Sequence, residues 1–181
     1  MSDQNLLLGV NEIVLKKKIL SFREHYDIED RSGNKIGEAD GNLFQFPAKF
    51  SVIDVNGAEL VHIEGKILSL RKEYSFYDSA GTNLGTIKKK LVKLIGEEYW
   101  VEKNGVEFMR VYGNFTEHDY QMHVNGMQVA SVHKRWLSVR DTLGLSITSP
   151  DADHRIVLGA LIVIEHLEVT ERKDNHRSFP F

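Results

Sequence analysis

Short stretches of alternating apolar and polar residues, separated by glycine turns, make up most of the chain. The turn glycines recur every 24 residues, at Gly33, Gly57, Gly81 and Gly105, and Gly126 follows after a further 21. Aspartate stands three positions before glycine in the first three turns, where it accepts backbone N–H bonds while glycine adopts a positive φ. Asn-Gly pairs form the last two turns and are a strong hairpin signal. The pattern predicts consecutive antiparallel hairpins.

The residues on either side of each turn repeat as well. An aromatic residue alternating with polar ones precedes the turn in each copy, at Tyr26, Phe50, Tyr74, Tyr99 and Tyr120. Apolar and often small residues follow the glycine at its third, fourth and sixth positions. This spacing indicates about twelve strands with one apolar face. Because an open sheet of that size leaves two exposed edges, we predict a mainly β fold in which the strands close into an antiparallel barrel.

A long apolar segment follows the last predicted strand. Ser149-Pro150-Asp151 has the features of a helix start, and residues 156–164 are apolar on all sides, which is typical of a buried helix. The sequence therefore predicts a helix over about 149–168. A twelve-stranded barrel is too wide to be filled by its own side chains, so we expect this helix to run through its centre. Gly37 and Gly85 are predicted to leave room for it.

The length and composition of the chain predict its domain boundaries and its location in the cell. The 181 residues suit one domain, which we expect at 12–170 between an N-terminal extension (1–11) and a polar tail (171–181). The chain begins without the basic start of a signal peptide, and its longest apolar stretch is about half of what a membrane span needs. We therefore expect a soluble, cytoplasmic protein with no transmembrane span.

Enzyme and cofactor chemistry has little support in the residues. The absence of cysteine excludes disulfides, thiol catalysis and thiolate metal sites. His118 and His123 stand five positions apart, which places their rings on opposite faces of a strand. Neither a Gly-x-Ser-x-Gly nucleophile motif nor a glycine-rich phosphate loop is present. We therefore predict a non-enzymatic protein without catalytic residues, metal ligands or cofactors.

The basic residues are the remaining candidate for function. If the first strand pairs near the last, a cluster forms at one rim of the barrel from Lys16, Lys17, Lys18, Arg23, His133, Lys134, Arg135 and Arg140. One interpretation is an anion site for membrane lipid head groups. The alternative is a solvated surface on a protein-interaction scaffold that has no lipid role, with Phe179-Pro180-Phe181 as a docking segment. Nucleic acid is not an expected partner, because the net charge is −3 and the aromatic residues fall at core positions.

Several motifs, in their order along the chain, resemble those of the LURP-one-related family in its short prokaryotic form. They are Gly65-Lys66-Ile67-Leu68-Ser69-Leu70-Arg71, the Tyr-x-x-x-Asp-x-x-Gly motif at 74–81, Gly113-Asn114-Phe115-Thr116-Glu117-His118-Asp119-Tyr120, Val132-His133-Lys134-Arg135-Trp136 and the apolar C-terminal segment. The resemblance covers about residues 10–170. It implies a tubby-like fold, a closed twelve-stranded barrel around a hydrophobic helix, which phospholipid scramblases share. It implies no activity: the sequence has no match to the basic phosphoinositide motif of tubby proteins or to the scramblase calcium segment.

Overall fold

The protein is a closed antiparallel β-barrel with a helix inside it. A computed structural model describes residues 6–20, 23–42, 47–68, 71–92, 96–134 and 142–177. In these ranges twelve strands each pair with their neighbours in sequence, and β1 pairs with β12 to close the barrel, which confirms the predicted fold. The strands are β1 (Glu12–Leu20), β2 (Arg23–Asp30), β3 (Lys35–Asn42), β4 (Lys49–Asp54), β5 (Glu59–Leu68), β6 (Arg71–Tyr77), β7 (Asn83–Val92), β8 (Gly96–Lys103), β9 (Val106–Asn114), β10 (Asp119–Val124), β11 (Met127–Lys134) and β12 (Thr142–Ile147).

The predicted glycine turns all lie at one end of the barrel, which we call the turn end. Gly33, Gly57 and Gly81 have φ values of +87°, +82° and +79°, a region that favours glycine. Asp54 shows how the aspartate acts, since its Oδ1 accepts the backbone N–H groups of Asn56 and Ala58 at 2.8 and 2.9 Å. We call the opposite end, where β1, β5, β7 and β11 finish, the mouth.

The helix α1 (His154–Arg177) enters the barrel from the turn end and leaves it at the mouth. It begins later than predicted, because Asp153 is its cap: Oδ1 accepts the N–H of Arg155 at 3.0 Å. The residues around Ser149 form a turn before it, in which the N–H of Ala152 donates to the carbonyl oxygen of Ser149 at 3.2 Å. At its other end, α1 runs on past position 171, where we expected a tail.

The apolar core lies between the strands and α1. Residues 156–168 of the helix are all buried. So are the residues at the fourth position after each turn glycine that were predicted to face them, among them Val61, Met109 and Ala130. Gly159 provides the close approach, since a Cβ there would lie 3.0 Å from the Phe76 ring. No helix in the described ranges is long and apolar enough to cross a membrane.

The role predicted for Gly37 and Gly85 is wrong. A Cβ at Gly37 would meet Leu7 and the carbonyl oxygen of Ile53, and one at Gly85 would lie 2.8 Å from Val101. Neither glycine therefore makes room for the helix. Leu7 belongs to a short 3-10 helix (Leu6–Gly9) within the segment expected to be an extension, and its side chain is fully buried in the core.

Candidate functional site

Charged residues occupy the buried part of α1 nearest the mouth. Glu165, His166 and Glu168 are 4%, 7% and 6% exposed, and they directly follow the apolar stretch that ends at Ile164. Burying a charge is costly unless it is paired and hydrogen-bonded. The barrel wall therefore has to supply partners for all three side chains.

Tyrosines from the repeated aromatic position supply some of these partners. The Tyr99 hydroxyl donates to Glu168 Oε1 at 2.9 Å, and the Tyr120 hydroxyl donates to Glu165 Oε1 at 3.1 Å. Burial, followed by the nearby Glu165 charge, raises the pKa of Tyr120 well above 10.0. The repeat thus places hydroxyl donors around the buried charged residues of the helix.

Two inward-facing lysines approach the helix from opposite sides of the barrel. Lys17 on β1 and Lys89 on β7 are the middle residues of two runs of three lysines, at 16–18 and 88–90. Their strands are six positions apart in the closed barrel. Lys17 Nζ lies 5.2 Å from the ring centre of Tyr26, and Lys89 Nζ lies 5.3 Å from that of Tyr99. The internal repeat therefore builds the same lysine–tyrosine pair twice.

Acidic side chains pair with both lysines. Lys89 Nζ lies 2.6 Å from Glu171 Oε2 and 3.5 Å from Glu168 Oε1, so it ties β7 to the helix. Lys17 Nζ lies 3.2 Å from Glu24 Oε1 on β2. These contacts form a buried network of alternating charges that joins the wall of the barrel to α1.

Glu24 on β2 connects Lys17 on β1 to His166 on the helix. His166 Nδ1 lies 2.9 Å from Glu24 Oε2, and both side chains are less than 10% exposed. Burial opposes the ionisation of Glu24, but the hydrogen bond and charge of His166, followed by those of Lys17, outweigh it and lower the pKa of Glu24. Glu24 is therefore the buried carboxylate that links β1 and β2 to the helix.

His118 reaches the same helix from the connection between β9 and β10. Its φ of +54° is unusual for a residue with a side chain, and its Nδ1 lies 3.0 Å from Glu165 Oε1. His123 faces away and stacks on Tyr112 with 4.6 Å between ring centres. His118 precedes β10 and lies in a turn, so the strand alternation from which we predicted opposite faces does not apply to it, and its contact with the helix was not predicted.

A small pocket opens beside α1 at the mouth. Its volume is about 90 Å³, room for about three water molecules. Lys134 and Arg172 stand at its exposed edge, and Arg172 Nη2 donates to the carbonyl oxygen of Thr116 at 3.0 Å. The pocket is lined by Leu15, Lys17, Tyr26, His118, Lys134, Thr142, Leu143, Glu165, Glu168, Val169 and Arg172.

The structure divides the basic cluster expected from sequence. Lys17 and Lys134 line the pocket, and β12 lies between their strands. Lys16 and Lys18 point outward, where Lys16 Nζ lies 2.6 Å from Glu29 Oε2 and Lys18 pairs with Asp27.

The other described members of the predicted cluster, Arg23 and His133, do not line the pocket. Arg23 is exposed at the first position of β2. His133 also faces solvent, with its Nδ1 2.9 Å from Asp119 Oδ1. Arg135 and Arg140 lie outside the described residues.

Sequence reasoning missed the buried charges because it assigned every charged residue to the surface. Strand alternation could have found Lys17, which stands two positions after the buried Leu15, and Lys89, two positions after the buried Ile87. The signal on the helix is the change from apolar to charged residues after Ile164.

One serine on the outer face of the barrel lies close to a histidine and two carboxylates. Ser51 Oγ is 3.3 Å from His62 Nδ1, and His62 Nε2 is 3.2 Å from Glu64 Oε1. The serine hydroxyl, however, donates to Glu59 Oε2 at 2.8 Å. A hydroxyl has one proton, so while Ser51 donates to Glu59 it can only accept in its contact with His62.

A second outer-face cluster has metal-ligating side chains. Ligand atoms of His25, Asp27 and Glu38 lie within 4.8 Å of one another. Lys35 Nζ stands 3.0 Å from Asp27 Oδ1 and 2.5 Å from Glu38 Oε2, so its ammonium group already supplies the positive charge between the two carboxylates. This cluster is an ion-pair network on the wall of the barrel.

Comparison with known proteins agrees with this architecture. The family model described as LURP-one-related matches residues 11–165. The X-ray structure of a protein from Arabidopsis thaliana is similar to this chain with a TM-score of 0.65 and 14% identity, covering 91% of this chain and 96% of that one. At this identity the similarity shows the fold alone. The curated proteins contain no match to the chain.

Proposed function

The chain belongs to the LURP-one-related family, and on that basis we propose that it is a non-enzymatic binding module that recognises anionic lipid head groups with the mouth of its barrel. The binding surface is the rim of the mouth, with the small pocket beside α1 at its centre. The protein acts by docking, and it needs no catalytic group for this role.

The distribution of exposed cations supports this proposal. Within the described ranges, six exposed basic residues near the mouth have no acidic ion-pair partner: Arg23, Lys66, Lys72, Lys90, Lys134 and Arg172. In the same ranges the turn end has two exposed cations without an acidic ion-pair partner, Arg31 and Lys103. Because the chain as a whole has a net charge of −3, this positive rim results from the placement of the charges and not from their excess.

A positive rim of this kind suits a membrane surface. Each basic residue close to an anionic leaflet contributes about 1 kcal/mol of binding free energy, and the contributions are screened by salt. Several weak contributions together give measurable binding without any deep pocket. The rim cations come from β2, β5, β6, β7, β11 and α1, so they surround the mouth and can contact a surface together.

The ion pairs of the predicted cluster support the second candidate, a protein-interaction scaffold with no lipid role. Lys16, Lys17, Lys18 and His133 each have an acidic partner, so half of the cluster predicted from sequence is already neutralised. The Phe179-Pro180-Phe181 segment lies outside the described residues.

Vesicle sedimentation with charge variants at the two ends distinguishes these functions. We expect the protein to sediment with vesicles of phosphatidylcholine and phosphatidylserine, and less so as the salt concentration rises. The double variant Lys66→Gln/Lys90→Gln should bind about thirtyfold more weakly, from two losses of about 1 kcal/mol each. Arg31→Gln/Lys103→Gln makes the same charge change at the turn end and should bind as the wild type does.

Two results would contradict the lipid function. One is equal sedimentation with neutral and anionic vesicles. The other is an equal loss of binding in the two double variants, which would mean that net charge and not the mouth determines the binding. Either result would leave the scaffold function as the better account of this barrel.

A further inference from the structure

We propose that the pocket beside α1 binds a single phosphate group between Lys134 and Arg172, with Lys17 at its inner wall. This inference rests on the proposed function, because both place an anion at the mouth. The proposed function needs only a charged rim, whereas this inference names the chemistry of the ligand and the pocket that holds it. The ligand is a phosphomonoester, which is either the head group of a lipid or a soluble molecule.

The acidic residues of the pocket are already engaged. Glu165 Oε1 accepts the Tyr120 hydroxyl at 3.1 Å and lies 3.0 Å from His118 Nδ1. Glu168 Oε1 accepts the Tyr99 hydroxyl at 2.9 Å. Both carboxylates therefore have hydrogen-bond donors within the buried network, and Glu168 also has Lys89 Nζ at 3.5 Å, so neither depends on a cation from solution.

The basic residues of the pocket are the groups left for a ligand. Lys134 and Arg172 are exposed, and in the described part of the chain neither is paired with an acidic side chain. The bond from Arg172 to the carbonyl oxygen of Thr116, at 3.0 Å, holds the guanidinium at the pocket edge while its other N–H donors remain for an anion. Lys17, whose Nζ also lies 3.2 Å from Glu24 Oε1, is a third basic group at the inner wall and can share its N–H donors between that carboxylate and a ligand.

The size and charge of the pocket select the ligand. A volume of about 90 Å³ admits one small group, in place of a few waters, and the rest of a larger ligand would remain in the solvent outside. A phosphomonoester is close to a dianion at neutral pH and has three terminal oxygens, so it can contact three cations at once. A carboxylate has one charge and two oxygens, and it should bind more weakly.

Titration of the protein's amide NMR signals with glycerol 3-phosphate at pH 7.5 and constant ionic strength tests this proposal. We expect saturable shifts at His118, Lys134 and Arg172, and binding at least about tenfold tighter than that of acetate. Lys134→Gln and Arg172→Gln should each weaken the phosphate binding about tenfold or more. Arg31→Gln/Lys103→Gln, which makes the same charge change as a double variant of the mouth but at the turn end, should bind glycerol 3-phosphate as the wild type does.

Shifts that do not saturate, acetate binding as tight as phosphate binding, or an equal loss in Arg31→Gln/Lys103→Gln would each overturn the phosphate pocket. Sedimentation with phosphatidylserine vesicles would then still decide the lipid function separately. If the pocket exists, vesicles of equal charge identify the source of the phosphate. Tighter binding to phosphatidic acid than to phosphatidylserine, abolished by Arg172→Gln, indicates a lipid, and no such preference indicates a soluble phosphomonoester.

Discussion

The two ends of the barrel use their charged residues in opposite ways. At the turn end, the partner of a carboxylate is a few residues away: Asp54 accepts the N–H of Ala58 on its own hairpin. At the mouth, the partners are far apart in sequence, with Lys89 bound to Glu168 79 residues later and Glu24 bound to His166 142 residues later. The turn end is therefore stabilised one hairpin at a time, whereas the mouth is stabilised only when the whole barrel has closed around the helix.

This difference also separates stability from binding. The turn aspartates direct their carboxylates onto backbone N–H groups, which leaves little for a ligand to bind. The mouth combines a buried network that is satisfied internally with exposed cations that are not. A ligand that binds there need not break any hairpin.

Alkaline pH should produce the largest difference between the two ends. Burial raises the pKa of Tyr26 and Tyr120 above 10.0 and that of Tyr74 to about 12. The contribution of these tyrosines to the free energy of unfolding is therefore complete below pH 10. It falls as the pH rises toward their pKa values in the folded protein, since in this range only the unfolded chain releases these protons. Three tyrosines give a slope approaching about 4 kcal/mol per pH unit. Urea unfolding monitored by circular dichroism between pH 8 and 11 measures this slope.

The variant Tyr74→Phe is the control for the alkaline effect. It removes one ionising group, so its slope above pH 10 should be smaller by up to about 1.4 kcal/mol per pH unit. If the wild-type free energy of unfolding stayed constant from pH 9 to 11, the pKa values of the buried tyrosines would not be raised as we expect.

Removing one carboxylate from the mouth should have the next largest effect. Glu168→Ala takes a buried acceptor from Tyr99 and a counter-charge from Lys89, both of which are held inside the barrel. Breaking a buried ion pair from one side costs about 3–5 kcal/mol. Because Lys89 keeps its contact with Glu171 at 2.6 Å, the loss should lie near the lower end of that range. Glu168→Gln keeps the acceptor but loses the charge, so its loss should be smaller. Urea denaturation at pH 7 compares the two, and a loss below about 1 kcal/mol in Glu168→Ala would show that the network is not stabilising.

Removing one carboxylate from the turn end should have the smallest effect. Asp54→Ala eliminates the two hydrogen bonds to Asn56 and Ala58, and at about 0.5–1.5 kcal/mol each the loss should be about 1–3 kcal/mol. The other hairpins keep their own turns, so the barrel should stay closed. The same urea experiment measures this variant, and Asp54→Asn, which retains an acceptor oxygen, should recover most of the loss. A larger loss than in Glu168→Ala would mean that the turn end is not locally stabilised.

The strands, the hairpins and the central helix could be predicted because their signals are local. The Asp-x-x-Gly turns and the aromatic positions such as Tyr99 depend on nearest neighbours and on strand alternation, and both survive in the structure. The start of the helix was missed because Ser149 and Asp153 are both suitable caps. The chain needs the extra residues to turn from β12 into the barrel.

Only part of the candidate site could be predicted from local signals of this kind. Closure of the barrel could be expected to bring β1 near β11, and Lys17 and Lys134 do line one pocket. Arg172 and His118 could not be added to them from sequence, because no local pattern tells how far the helix extends beyond the wall. The buried lysines were missed for a related reason, since a charged residue inside a barrel is stable only beside a partner that sequence does not reveal.

The local sequence determines the repeated turns and alternating strands, because hydrogen bonds within a hairpin join residues only a few positions apart. Gly37 shows where that local information ends: its lack of a side chain accommodates Leu7, about thirty residues earlier, and not the helix. The ion pairs of the mouth arise in the same non-local way. Closure of the barrel brings strand ends and helix together from across the chain, and burial there makes the pairing of Glu24, Lys89 and Glu168 obligatory.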